Sequence, residues 1–373
     1  MAMITSDLLR RLPKAELHCH LDGSVRPSTL LELAHEQRVQ MPRDDAEALG
    51  AYMVVNDAHN LEEYLARFSV TLAVMQQAEA LERIAYELAE DCAREGVRYL
   101  ETRFAPVLNT RAGLSLAQTL EHSIRGLRRA EKEYGIVGRV IVCALRHLDP
   151  AVSLESAALA VEFQGEGVVG FDLAGGEAGH PASLHAAAFT YAREHGLSCT
   201  CHAGEGAGAE SVGEALHACH AHRIGHGTRL IENGELLNYV NDHRIPIEVC
   251  PSSNVQTRAA SGWDSHPVDF FVDYGLRVTI NTDNRLMSDT TVTKELHLCH
   301  RHYGWSLQTI KEVIIAGFKS AFMPYREKAD LLSEVSRELS KFEDPRGEST
   351  GRVGMAESGH TTSSPTKPKL QIS

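Results

Sequence analysis

The sequence predicts an α/β chain folded as a parallel (β/α)8 barrel, a TIM barrel, with a helical insertion after the first strand. Three observations carry this reading. Short apolar runs that end in a polar or chemistry-bearing residue alternate with amphipathic helical patterns, and there are eight such runs. Glycines stand just past the helical patterns, as Gly96, Gly135 and Gly196 do, where a helix is expected to stop. In a barrel of this kind any site lies at the C-terminal ends of the strands.

The first run, Ala15 to His20, lies within Glu16-Leu17-His18-Cys19-His20-Leu21-Asp22-Gly23. Residues i and i+2 of a strand share a face, so His18 and His20 point one way while Leu17, Cys19 and Leu21 supply an apolar opposite face. Two neutral imidazoles on one face suit a divalent metal and leave room for further ligands and a water. For an isolated pair, core histidines with backbone partners remain the alternative.

Before the second run, Arg98 to Phe104, residues 24–97 intervene, several times the usual connection of about 4–6 residues. Within them Leu61, Tyr64, Leu65 and Phe68 fall at i, i+3, i+4 and i+7, one face of a helix. The insertion leaves from the histidine end of the strand, so a lid that excludes water from the mouth is expected, with a helix packed on the barrel core as the alternative. The pattern Ala78 to Glu95 then reads as a barrel helix.

Val137 to Leu145 is the third run, after a helical pattern from Leu116 to Tyr134. The fourth, Val168 to Leu173, leads into Ala174-Gly175-Gly176-Glu177, where glycines let backbone N–H groups approach a ligand. A helical pattern over Ala182 to His195 precedes the fifth run, Leu197 to His202, which is followed by Ala203-Gly204-Glu205 and so offers a third imidazole and a carboxylate. The sixth, Arg223 to Gly225, ends at His226; the seventh is Pro246 to Cys250; the eighth, Arg277 to Asn281, leads to Asp283 and Asn284. Four runs thus deliver a histidine or aspartate to one rim, a metal set with a position open for water and with His226 and Glu205 beside it as acid–base groups. His217, His220, His222, His297, His300 and His302 end no strand and are expected to be structural or solvent-facing.

A single domain over residues 1–343 is expected, followed by a disordered tail over 344–373 that is rich in Ser, Thr, Gly, Pro and Lys. The net charge of −13 and the lack of a basic, aromatic-rich cluster argue against a nucleic-acid partner. No apolar run suits a secretory leader or a membrane span, so the expected location is cytoplasmic and the eight cysteines are expected to be reduced and buried. Oligomeric state is left open.

Taken together, Glu-Leu-His-Cys-His-Leu-Asp-Gly from residue 16, Asp-Leu-Ala-Gly-Gly-Glu from 172, His-Ala-Gly-Glu from 202, Arg-Ile-Gly-His-Gly from 223, Glu-Val-Cys-Pro-Ser-Ser-Asn from 248 and Asn-Thr-Asp from 281 resemble the adenosine deaminases of the amidohydrolase superfamily. The resemblance implies hydrolysis of adenosine, and of 2′-deoxyadenosine, to inosine and ammonia, in purine salvage. It implies one zinc ion per subunit, held by His18, His20, His202 and Asp283. Glu205 would protonate purine N1, His226 would orient the nucleophile, and Asp283 would also accept a proton. Asp22 would bond the ribose 5′-hydroxyl, His20 would neighbour the sugar, and the Gly175 N–H would contact purine N3.

Where many relatives carry a second aspartate, this chain has Asn284, whose amide can donate to purine N7 at any pH. Addition at C6 requires N1 to take up a proton as charge develops, so Glu205 is expected to have a raised pKa. A deaminase of adenine or of a modified adenosine nucleotide is the nearest alternative, but relatives acting on the free base tend to carry Glu where Asp22 stands. The cytidine-type design is marked by Pro-Cys-x-x-Cys, which this chain lacks. A catalytically silent nucleoside-binding barrel would be expected to lack a ligand or Glu205, and neither is missing.

Overall fold

The computed structural model describes residues 4–342, so the expected tail over 344–373 lies outside the described residues. Its strands are β1 Lys14–His20, β2 Val97–Phe104, β3 Val137–Leu145, β4 Val168–Ala174, β5 Ser198–Ala203, β6 Arg223–His226, β7 Ile247–Val249 and β8 Val278–Ile280. All neighbours pair in parallel, in sequence order. The ring is drawn shut just beyond β8: Asp283 bridges Cys19, the His20 N–H donates to the Asp283 carbonyl at 2.7 Å, and the Asp283 N–H donates to the His18 carbonyl at 2.8 Å. This is the barrel read from the sequence.

Helix ends follow local chemistry. Leu116–Tyr134 opens on a capping box between Ser115 and Gln118 and stops at Gly135, whose φ of 70° is left-handed. The helix expected over Ala182 to His195 instead splits into a 3₁₀ turn, Ala182–His185, and a helix, Ala186–Glu194. β7 and β8 are each one residue shorter at either end than the apolar runs that mark them, although Pro246 and Arg277 still accept from the Ile224 and Ile247 N–H groups and the Asn281 N–H still donates to the Val249 carbonyl. The lid stretch is two short helices, Leu61–Leu65 and Phe68–Leu72, rather than one.

Outward-facing Leu17, Cys19 and their equivalents build the layer against the helices, and all eight cysteines are buried and unpaired. Inside the barrel, below the rim, the filling is ionic. Arg103 reaches Asp172 at 2.8 Å and Glu248 at 2.9 Å; Arg223 reaches Glu248 and Glu101, each at 2.5 Å. All five side chains are buried. Removing either guanidinium would strand a buried carboxylate, which generally costs about 3–5 kcal/mol. Among the described residues no helix is long and apolar enough to cross a membrane.

Candidate metal centre and active site

Each chemistry-bearing residue sits at the end of its strand. His18 and His20 are the fifth and seventh residues of β1, and their rings lie 5.4 Å apart. His18 Nδ1 is 2.9 Å from Glu248 Oε2, and His202 Nδ1 is 3.1 Å from Asp172 Oδ1. Both carboxyls stay ionised. Burial alone would raise them, but His202 and Arg103 hold Asp172, and Arg103 and Arg223 hold Glu248, well below the ordinary range. A carboxylate can only accept, so each imidazole donates its Nδ1 proton to the acid and turns Nε2 toward the rim. Burial keeps His202 neutral, so its Nε2 is a lone pair. Burial opposes a charge on His18 but Asp283 and Glu248 raise its pKa, and a bound cation would take the place of its Nε2 proton.

Those Nε2 atoms converge. His202 Nε2 is 3.1 Å from His20 Nε2, and Asp283 Oδ1 is 3.3 Å from His20 Nε2 and 3.4 Å from His18 Nε2. Asp283 is held by Ser253, whose hydroxyl donates to Oδ2 at 2.6 Å. Burial opposes its charge, yet His18 and the other imidazoles around it keep its pKa below the usual range. Burial drives the pKa of His20, His202 and His226 down, so these rings are neutral. His18 Nε2 is buried with no hydrogen-bond partner.

Imidazole nitrogens and a carboxylate oxygen crowded this closely are what a cation relieves. The interior supplies the balance too: Glu101, Glu248 and Asp172 outnumber Arg103 and Arg223 by one negative charge, and Asp283 adds a second. The residues therefore fit a divalent metal. The group whose ligand atoms lie within 4.8 Å of one another is His18, His202, His226 and Asp283. This set includes His226, which the sequence reading left outside the ligands, while His20 stands alongside at the distances above.

Glu205 follows β5 and is buried; its Oε2 is 3.4 Å from His226 Nε2 and its Oε1 has no partner. Burial, reinforced by the charges on Asp283 and Glu177, holds its pKa well above the usual value, so the carboxyl is neutral. Its loop is fixed by a residue whose role the sequence reading missed. Glu177 accepts the backbone N–H groups of Gly204, Glu205, Gly206 and Ala207 at 2.8, 2.9, 2.5 and 3.1 Å. His226 and Asp283 both have left-handed backbones, at φ 60° and 58°, the sort of strain that gathers at functional sites.

The other expected site residues surround this cluster. Asp22 is buried with an unpartnered Oδ1, and burial pushes its pKa up to about 7. Asn284 Oδ1 is buried and unpartnered, pressed against Gly23. Gly175, at φ 95°, follows β4 beside His147. Of the lid residues, Leu61 and Tyr64 are buried, and Leu65 and Phe68 half-buried. The Phe68 ring is 6.3 Å from that of His20, and Tyr64 Oη is 3.1 Å from Ser288 Oγ.

Asp172, Glu248, Ser253, Asn254 and Glu177 all lie inside the quoted motifs, yet no role was drawn for them from the sequence. A signal was available. Metal-binding histidines generally give their second N–H to an acid, so buried acids at the ends of β4 and β7 were the ones to look for. Of the extra histidines, His222 Nδ1 accepts the Cys199 N–H at 2.9 Å, and none joins the cluster.

Comparison with known proteins agrees with this geometry. The chain is 41% identical over 356 residues to the adenosine deaminase of Mycobacterium avium (strain 104), covering 90% of this chain and 97% of that one. A solved amidohydrolase from Burkholderia ambifaria with bound Zn superposes with a TM-score of 0.82 at 26% identity, covering 91% and 94% of the two chains. The adenine deaminase of Arthrobacter aurescens does so with a TM-score of 0.82 at 26% identity, covering 88% and 99%. The family model described as Adenosine deaminase matches residues 13–338, the span that carries every strand and every residue of the cluster, and the chain belongs to that family.

Proposed function

We propose that the protein hydrolyses adenosine, and 2′-deoxyadenosine, to inosine and ammonia, with zinc as its metal. The observation that carries this is the pairing of a buried, neutral Glu205 with a ring of lone pairs able to hold a cation on the same rim. His18, His20, His202 and Asp283 are the proposed ligands. When bound, the cation makes water acidic enough to serve as a nucleophile at neutral pH.

The chain's own groups do the rest. The Glu205 carboxyl donates its proton to purine N1, which draws electrons from C6 and opens it to addition. His226 Nε2, facing Glu205 Oε2, orients the attacking oxygen, and Asp283 accepts its proton. That proton passes to the exocyclic amine, which leaves as ammonia; N1 keeps the proton received from Glu205, and the proton remaining on the C6 oxygen returns to the Glu205 carboxylate as the carbonyl forms. Asp22 takes the ribose 5′-hydroxyl as a donor; a 5′-phosphate would bring negative charge against this buried acid. The Gly175 N–H and the Asn284 amide address N3 and N7. Leu61, Tyr64, Leu65 and Phe68 cover the mouth.

We read residues 1–343 as one deaminase domain acting in the cytoplasm on a small-molecule nucleoside. Ultraviolet absorbance tests the assignment with adenosine, adenine and adenosine monophosphate, each with and without a chelator. Conversion of adenosine that chelation abolishes is expected. Turnover of adenine or the nucleotide in its place would overturn the substrate.

A further inference from the structure

Asn254 lies behind His226, on the helix Pro251–Gln256, and is completely buried. Its side-chain nitrogen is 2.9 Å from His226 Nδ1, and its oxygen is 3.3 Å from His266 Nε2. His266 Nδ1 is in turn 3.1 Å from the backbone nitrogen of Val268, the first residue of the helix Val268–Tyr274. Amide orientations and histidine tautomers have to be inferred from such networks, and this one ends on a group that has no choice. A backbone N–H can only donate.

The polarity therefore propagates in one direction. Val268 donates, so His266 Nδ1 accepts and its proton sits on Nε2. That N–H donates to Asn254 Oδ1, which leaves the amide NH2 facing His226. His226 Nδ1 must accept, and its proton sits on Nε2. Turning the Asn254 amide over would place its NH2 against the His266 Nε2–H, and protonating His266 Nδ1 would place it against the Val268 N–H. Neither arrangement has an acceptor.

We propose that Asn254 and His266 are positioning residues that hold His226 as the Nε2–H tautomer, with the Val268 backbone N–H setting the direction of the relay. Two consequences follow. The nitrogen that His226 turns toward the rim carries a proton, so His226 is excluded as a metal ligand despite its distance from His18, His202 and Asp283, and the vacated place falls to His20. His226 also has no lone pair there to take a proton from water, so within the proposed deaminase reaction it donates and Asp283 accepts. Neutrality of the relay is consistent with burial, which pushes His266 down to about 3.

The test is long-range proton–nitrogen correlation on the ¹⁵N-histidine-labelled protein, with and without zinc, the His226 and His266 signals being assigned from their loss in single substitutions. Both rings are expected as Nε2–H with unprotonated Nδ1. A His226 ring protonated on Nδ1, or one bound to zinc, overturns the relay even if the enzyme deaminates adenosine normally; the expected tautomers uphold it even if the substrate is another purine. Asn254→Asp supplies the kinetic arm, since an ionised carboxylate only accepts and draws the His226 proton to Nδ1. Its kcat is expected to fall about 100-fold or more with KM changed less than about threefold and zinc content unchanged. Unaltered kcat with the proton moved to Nδ1 would refute the assigned role.

Discussion

Glu177 Oε2 accepts the backbone N–H of Glu205 at 2.9 Å, so one carboxylate holds the main chain of the other while its charge raises the other's pKa. Four N–H groups satisfy Glu177, whereas Glu205 has an oxygen with no partner and burial keeps it protonated. Two acids of the same kind are thereby given opposite duties by their surroundings.

Glu177→Gln puts an amide NH2 against at least one of those donors. It is expected to cost about 2 kcal/mol of stability and, by shifting the Glu205 loop, to lower kcat by about 10-fold or more. Urea unfolding and steady-state kinetics check the pair, and a kcat equal to wild type would show that the loop holds without the carboxylate.

Glu205→Gln keeps the shape but cannot give up an acidic proton. Turnover should drop by about 1,000-fold, while binding of a non-hydrolysable adenosine analogue, measured by calorimetry, stays within about tenfold. Since the neutral form is the active one and its pKa is raised, wild-type activity should fade as pH rises through that value. A pH profile that climbs on the alkaline side would contradict the proton-donor role.

Ser253→Ala removes the hydroxyl that donates to Asp283 Oδ2 at 2.6 Å. Loss of such a supporting partner weakens metal binding by about 10–100-fold. Competition with a chromogenic chelator reads this directly, independently of catalysis.

Gly23→Ala would place a methyl 1.8 Å from Asn284 Oδ1 and 2.8 Å from its Cβ, so Asn284 must give way. The expected result is a KM raised by about 10-fold, roughly the worth of one substrate hydrogen bond, with metal content intact. An unchanged KM would remove Asn284 from the substrate contacts.

His266 links the relay to acid stability. Its folded pKa is about 3 against an ordinary 6.5, because burial disfavours the cation. Within that window the unfolded chain binds the extra proton, so the contribution is complete above about 6.5 and is lost as pH falls, at about 1.4 kcal/mol per unit. His266→Gln, which cannot titrate, should therefore show a shallower fall in stability than wild type between about pH 6.5 and 4.

Much of this was legible in the sequence because barrel strands announce themselves twice, through an apolar run and through the residue that ends it. His18, His20, His202, Glu205, His226 and Asp283 each stand near or just past the C-terminal end of a strand, and the fold brings them together as that position requires. Residues facing the barrel interior were harder to see. Glu101 and Arg103 lie in β2 and Arg223 opens β6, and only the closed ring shows that their charges neutralise one another. Asn254 is on a helix and His266, twelve positions on, is in the loop before Val268–Tyr274, so no periodicity links them. The lid helices broke where a single amphipathic stripe suggested continuity.

Because Asp283 both seals the ring to β1 and offers its carboxylate to the cluster, topology and chemistry share one seam. A nascent chain that has not yet delivered this residue has histidines but no enclosure, and so no selective grip on an ion. Grip on an ion by the full cluster would therefore require the ring to be shut first.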